Sequence, residues 1–98
     1  MKIQFESVVR LWPANEKFFL AGLPEDLSAD IREISDGLTN GWGSLKVEAR
    51  IGKTTWRTSI FPDSKLGIFD LPLKAEVRKK NELTVGSKVL IELELLGL

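Results

Sequence analysis

The 98-residue chain contains no Cys, no His and no Tyr. Without Cys there is no disulfide framework, thiol nucleophile, iron–sulfur cluster or thiolate zinc site. Without His there is no Ser-His-Asp or Cys-His catalytic arrangement, and the commonest metal ligand is missing. Any metal would have to be a hard cation held by carboxylate oxygens. The glycines form no phosphate-cradling motif: Asn40-Gly41-Trp42-Gly43 is too short and lacks a strand-to-helix setting. No catalytic residue, metal or cofactor is therefore expected. No apolar run approaches the roughly 20 residues of a membrane-spanning helix. Glu6 and Arg10 interrupt the N-terminal stretch, which does not read as a signal peptide. A cytoplasmic location without membrane contact is the default expectation.

A dominant charge is also lacking, since 14 Lys and Arg balance 14 Asp and Glu. The neutral total disfavours nucleic acid, whose affinity comes from phosphate neutralisation. Charge is nonetheless polarised along the chain: residues 1–49 carry 5 basic and 8 acidic side chains, and residues 50–98 carry 9 and 6. Opposite-sign regions could steer a protein partner, or a second copy, onto the surface. Hydrophobic residues at 43% and charged residues at 29% are ordinary globular values and fit one small domain over residues 1–98.

Strand-period alternation dominates the pattern. Ile3, Phe5, Val9 and Leu11 share one face of a first strand, opposite Gln4, Glu6 and Arg10. Residues 13–16 read as a turn, and residues 18–22 as a strand apolar on both faces, hence central. The period becomes helical after Pro24, with Leu27, Ile31, Ile34 and Leu38 on one side and acids on the other. The expected helix covers residues 25–36. Asp36-Gly37 and Asn40-Gly41-Trp42-Gly43 are breakers and predict a loop. Alternation resumes in residues 45–51, turns at Gly52-Lys53 in a hairpin with Gly first, and continues through residues 54–61. Pro62-Asp63 closes that strand. Residues 67–71 form a short strand that Pro72 confines to an edge or an end. Residues 74–80 suit a short helical turn, and residues 88–95 a last strand with Val89, Ile91, Leu93 and Leu95 inward. About six strands and one helix predict a mainly β fold: a small closed or nearly closed antiparallel barrel. An open α+β sheet is the alternative.

Three groups carry the candidate chemistry. Arg57 and Ser59 share a strand face and could hold a carboxylate or phosphate, since guanidinium offers a planar fork of donors. A cross-strand pair between Arg57 and Glu48 is the plainer reading. Lys74, Arg78, Lys79 and Lys80 form a basic segment, an anion patch or a solvated cationic turn. Trp42, bounded by glycines, is a candidate binding side chain or lid. The expected ligand site is therefore Trp42, Arg57, Ser59, Arg78 and Lys79, and the expected partner an anionic small molecule or a protein. A Ser59–Lys79 dyad stays open as minor enzyme chemistry.

The chain also resembles the domain of unknown function 1905 family. The likeness rests on Leu23-Pro24 before the acidic helix and on Trp56-Arg57-Thr58-Ser59-Ile60-Phe61-Pro62. Val77-Arg78-Lys79, followed by Val85-Gly86-Ser87-Lys88-Val89, completes it, with Ser87 where that pattern usually has Asp. The resemblance implies an antiparallel barrel and no known activity; relatives sometimes sit beside a domain linked to bacteriocin protection. A non-enzymatic ligand- or protein-binding module, monomeric or weakly self-associating, is the expectation. The alternatives are a single-stranded nucleic-acid-binding barrel and a small enzyme using Ser/Lys or carboxylates.

Overall fold

The structure, a computed structural model, describes residues 1–35 and 43–96. Six strands appear in the order β1 (Lys2–Trp12), β2 (Asn15–Gly22), β3 (Leu45–Ile51), β4 (Thr54–Asp63), β5 (Ile68–Pro72) and β6 (Lys88–Leu95). Helix α1 (Glu25–Ile34) lies between β2 and β3, and α2 (Ala75–Lys80) between β5 and β6. The strands close into an antiparallel barrel with the cyclic order β1-β2-β5-β4-β3-β6. The closed form of the expectation is the one observed.

Alternating side chains set the inside and the outside. Phe5 and Val9 of β1, Val47 and Ala49 of β3, Trp56 and Ile60 of β4, and Ile91 and Leu93 of β6 enter one apolar core. The Gly52-Lys53 hairpin forms as expected, with Gly52 at φ 58. There Gly-first chemistry matches the twist of the flanking strands. β3 and β4 pair from Leu45↔Ile60 to Ile51↔Thr54. β4 runs on through Pro62 and Asp63, past the predicted stop, because β5 supplies the pairs Pro62↔Phe69 and Asp63↔Ile68. β2 begins at Asn15, earlier than the pattern suggested, because Trp12↔Asn15 closes a tight hairpin with β1. Pro72 ends β5, where its missing N–H interrupts nothing further.

β2 and β5 are antiparallel neighbours, so the helices that follow them leave from opposite ends of the barrel. Helix α1 docks through Ile31 and Ser28, both fully buried. The Phe69 N–H donates to Ser28 Oγ at 3.1 Å, fastening the helix to β5. The expected apolar face is rotated: Ile34 is exposed, while Ser28 and Ser35 take buried positions. Ser35 stays satisfied by donating its hydroxyl to Ile31 O at 2.6 Å. Leu38 and Asp36, the end of the predicted helix, lie outside the described residues. At the other end, α2 buries Val77, and Asn81 Nδ2 reaches Thr54 Oγ1 at 3.3 Å on the β3–β4 hairpin. Among the described residues no helix is long and apolar enough to cross a membrane.

Candidate functional site

The outer face of β1, β2, β5 and β4 departs from the usual polar exterior. Ala21 pairs with inward Val9, so Leu20 and Phe18 of β2 point outward, as do Arg10 and Trp12 of β1. Gly22↔Asp70 and Phe61↔Asp70 put Asp70 and Phe61 on the same outer face. Leu20 is buried there yet lies outside the core cluster. Trp12, Phe18, Leu20, Phe61 and Asp70 together line a groove of about 740 Å³. Trp12, Phe18 and Phe61 keep 43%, 51% and 41% of their surfaces exposed in it. Trp12 and Phe18 meet edge to face, with ring centroids 5.8 Å apart.

Beneath the rings lies an ion cluster built from three strands. Arg10 Nη2 contacts Asp70 Oδ1 at 2.7 Å and Asp63 Oδ2 at 3.9 Å. The reach from β1 to β4 crosses three strand spacings, about 14 Å on a flat sheet. Gly22 lies in the intervening strand, and a Cβ there would fall 2.8 Å from Ile68 Cδ1 and 3.5 Å from Asp70 Oδ1. The missing side chain thus leaves the space that Asp70 and Ile68 occupy. Only 8% of the Asp70 side chain and 31% of the Arg10 side chain are exposed. Burial pushes the Asp70 carboxyl above its ordinary value of 3.8, and the charge of Asp63 adds to that push. The charge and hydrogen bond of Arg10 pull it back without cancelling the burial. Asp63 is fixed independently, since its Oδ1 accepts the N–H groups of Lys65 and Leu66 at 3.0 and 3.2 Å. Arg10 Nη1 is shut off from solvent and has no acceptor among the described residues.

A second recess, of about 540 Å³, opens where β3 and β6 part beyond Arg50↔Glu92. Arg50, Asn81 and Lys88 line it, and it presents no aromatic ring.

The residues singled out from sequence are not gathered into one place. Arg57 and Ser59 do share the outer face of β4, in the row that leads to Phe61 and Asp63. Arg57 Nε meets Glu48 Oε2 at 3.4 Å, the cross-strand pair expected of it. Arg78 is turned inward: its Nε donates to Leu73 O at 3.1 Å, and its guanidinium stacks 3.7 Å from the Phe19 ring centre. Lys79 is exposed on α2, and Lys80 pairs with Glu76 one turn away. No hydrogen bond or ion pair among the described residues joins Arg57 or Ser59 to Arg78 or Lys79. Trp42 lies outside the described residues. Among the described residues no three acidic side chains converge in a way that could hold a metal ion.

Sequence reasoning noted Trp12 beside Arg10 without placing either in the expected site, and it missed Asp63, Asp70, Phe18 and Phe61. Two signals were available. One was the two-sided apolar character of residues 18–21, which reads as a central strand and here marks an apolar outer face. The other was Gly22 inside a strand, often a sign of close approach by another group.

No curated protein matches the chain in sequence. A family model described as "Domain of unknown function (DUF1905)" matches residues 5–93, from the first strand through most of the last. That span covers the barrel, both helices and every residue of the groove, and the chain belongs to the DUF1905 family.

Proposed function

We propose that the protein is a non-enzymatic binding module whose recognition surface is the outer groove over β1, β2, β5 and β4. The observation that carries this reading is the set of Trp12, Phe18 and Phe61, exposed together around an ion cluster that is itself largely buried. Contiguous exposed apolar surface is disfavoured on a soluble domain unless it meets something. The groove volume of about 740 Å³ lies in the range of sites that enclose small ligands or short peptide segments. The Arg10–Asp70 contact ties β1 to β5 beneath the rings, so the groove is preformed. Arg57 and Ser59 continue the same face along β4 and extend the surface a ligand would cover.

A chemical-shift titration of labelled protein against pooled metabolites, sugars and uncharged peptides tests this. The expected result is perturbation confined to Arg10, Trp12, Phe18, Phe61 and their neighbours, abolished by Phe61→Ala. Perturbations clustered instead on α2 or on the recess beside Arg50 would refute the assignment.

A second reading, carboxylate catalysis, is favoured by one feature, the raised carboxyl of Asp70 beside Asp63. It comes second because Asp70 is covered and its Oδ1 is already taken by Arg10. Hydrolysis of a pooled substrate that Asp70→Asn abolishes, with the fold intact, would reverse that order.

A further inference from the structure

We infer that the recess where β3 and β6 part, at the α2 end of the barrel, binds a phosphate group, free or carried on a small aliphatic molecule. The site is separate from the groove over β1, β2, β5 and β4, and it stands whether or not that surface binds anything.

The strand ladder supplies the first argument. β1 and β6 stay paired as far as Val8↔Lys88, whereas β3 and β6 pair only from Val47↔Leu95 to Arg50↔Glu92. In an antiparallel strand the N–H and C=O of one residue point to the same side, and the side alternates along the chain. Leu95 N–H donates to Met1 O, and Leu96 N–H to Lys46 O. Even-numbered residues of β6 therefore turn their main chain toward β3. Lys88 and Leu90 do so beyond the last pair, where both line the recess. The Leu90 N–H thus opens on the recess without a ladder partner.

Charge is the second argument. Arg50 faces Glu92 across the ladder, yet the two form no ion pair; Arg50 Nε donates instead to Gly52 O at 3.2 Å. The register places Gly52 level with Leu90, so the guanidinium is drawn along β3, away from Glu92 and toward the Lys88 end of β6. Its two Nη groups form a planar fork with no partner among the described residues, and the Lys88 ammonium has none either. A fork, an ammonium and a main-chain N–H around one hollow suit an anion with three or more oxygens. Two positive charges match a phosphate dianion, whereas the fork alone satisfies a carboxylate. Residues 50–54 and 74–92, which build this end of the barrel, carry 7 basic and 3 acidic side chains. At the other end α1 carries Glu25, Asp26, Asp30 and Glu33 against Arg32. The field of the molecule therefore steers anions to the recess. Its volume of about 540 Å³ leaves room for a small carrier. Asn81 Nδ2 is spent on Thr54 Oγ1 and Val77 O, which leaves Oδ1 to accept a carrier hydroxyl. Ile51, Leu83 and Val89 give an apolar wall. No ring among the described residues lines it, so a nucleotide base has nothing to stack on.

The test is a ¹⁵N chemical-shift titration with glycerol 3-phosphate, inorganic phosphate and acetate at constant ionic strength. It is run at about pH 8, where a phosphate monoester is a dianion. Both phosphates are expected to move the signals of Gly52, Leu90 and the Arg50 side chain and to leave Trp12, Phe18 and Phe61 in place. Tighter binding of glycerol 3-phosphate would assign an organic carrier, and equal binding the free ion. Arg50→Gln and Lys88→Gln should each weaken phosphate binding at least about tenfold. Lys65→Gln removes the same charge at the other end of the barrel and should change it less than about twofold. Arg50 and Lys88 are exposed, an unchanged melting curve verifies folding, and either variant serves should the other fail to fold. Signals of the recess unmoved at about 10 mM of either phosphate would overturn the inference. Equal weakening by all three variants would show general attraction of charge without a site, and would overturn it too. Acetate bound as tightly as the phosphates would mean that the ligand class is wrong. Loss of binding in Glu92→Gln would mean that the recess reads a cation, with the same consequence. The metabolites pooled against the groove are unphosphorylated, which keeps the two tests apart.

Discussion

Two arginines on the outer face of this barrel pair with carboxylates, and the two contacts do different things. Arg57 and Glu48 sit opposite each other on β3 and β4, 3.4 Å apart, with 76% and 44% of their side chains exposed. Arg10 and Asp70 lie 60 residues apart, at 2.7 Å, with 31% and 8% exposed. Water screens the first pair and competes for its hydrogen bonds, so its net worth is small. In the second, both charges have given up much of their hydration, and either one left alone would be costly. The same two residue types thus act as an incidental surface contact in one place and as a buried tie between strands in the other. What separates them is burial, with Leu20 opposite Arg10 and Phe61 opposite Asp70 in the second case.

The sharpest way to break this contrast is to remove one buried partner. Asp70→Ala should cost about 1.5–3 kcal/mol, since Arg10 loses its short hydrogen bond and keeps only the longer contact with Asp63. That corresponds to a fall in Tm of at least about 6 °C for a domain of this size. A loss below about 1 kcal/mol in urea denaturation would put the two pairs on an equal footing. Gly22→Val comes next. Its branches must displace Ile68 Cδ1 and crowd Asp70 Oδ1, at an expected cost of about 1–3 kcal/mol. No change in the urea midpoint would mean that Arg10 and Asp70 do not depend on the space at β2.

Acid titration sharpens the contrast further. The folded Asp70 carboxyl binds its proton at higher pH than the ordinary value of 3.8. The folded state therefore gains protons before the unfolded state does, and protonation of this group favours folding. Relative to Asp70→Asn, the wild-type chain should gain stability as pH falls through the raised pKa. That gain is complete below about 3.8 and absent at neutral pH. Urea midpoints of both proteins between pH 3 and 7 measure this, and a wild-type midpoint that falls relative to that of Asp70→Asn on acidification would contradict the burial argument. The smallest effect belongs to Arg57→Ala, which should change stability by no more than about 0.5 kcal/mol. A larger loss would show that the exposed pair is not idle.

The contrast also explains what could be read from the chain. Where the outside of a strand faces water, as in residues 45–51 and 88–95, strict alternation reveals the strand and both of its faces. The Arg57–Glu48 pair was legible for the same reason: a two-residue hairpin fixes the register, and register fixes cross-strand neighbours. In β2 the pattern fails, because Leu20 is buried from outside while Ala21 is buried from inside. The two-sided apolar run then imitates a sheet covered on both faces. Arg10, Asp63 and Asp70 meet only through strand order, which hairpin chemistry does not encode beyond adjacent strands. Helix α1 shows a milder failure. Ile34 looks like a core residue by spacing, yet Ser28 and Ser35 take the buried positions because Ser28 supplies the acceptor that the Phe69 N–H needs.

The first and last strands pair over seven residues, and Leu95 N–H donates to Met1 O at 2.9 Å. The start of β1 and the end of β6 are therefore neighbours in space. A few residues of linker would splice them, and the ring so formed could be reopened at Gly52-Lys53 without severing any ladder. For the same reason the barrel can be carried in a surface loop of a host protein as a self-closing insert, with the groove over β1, β2, β5 and β4 left free to work.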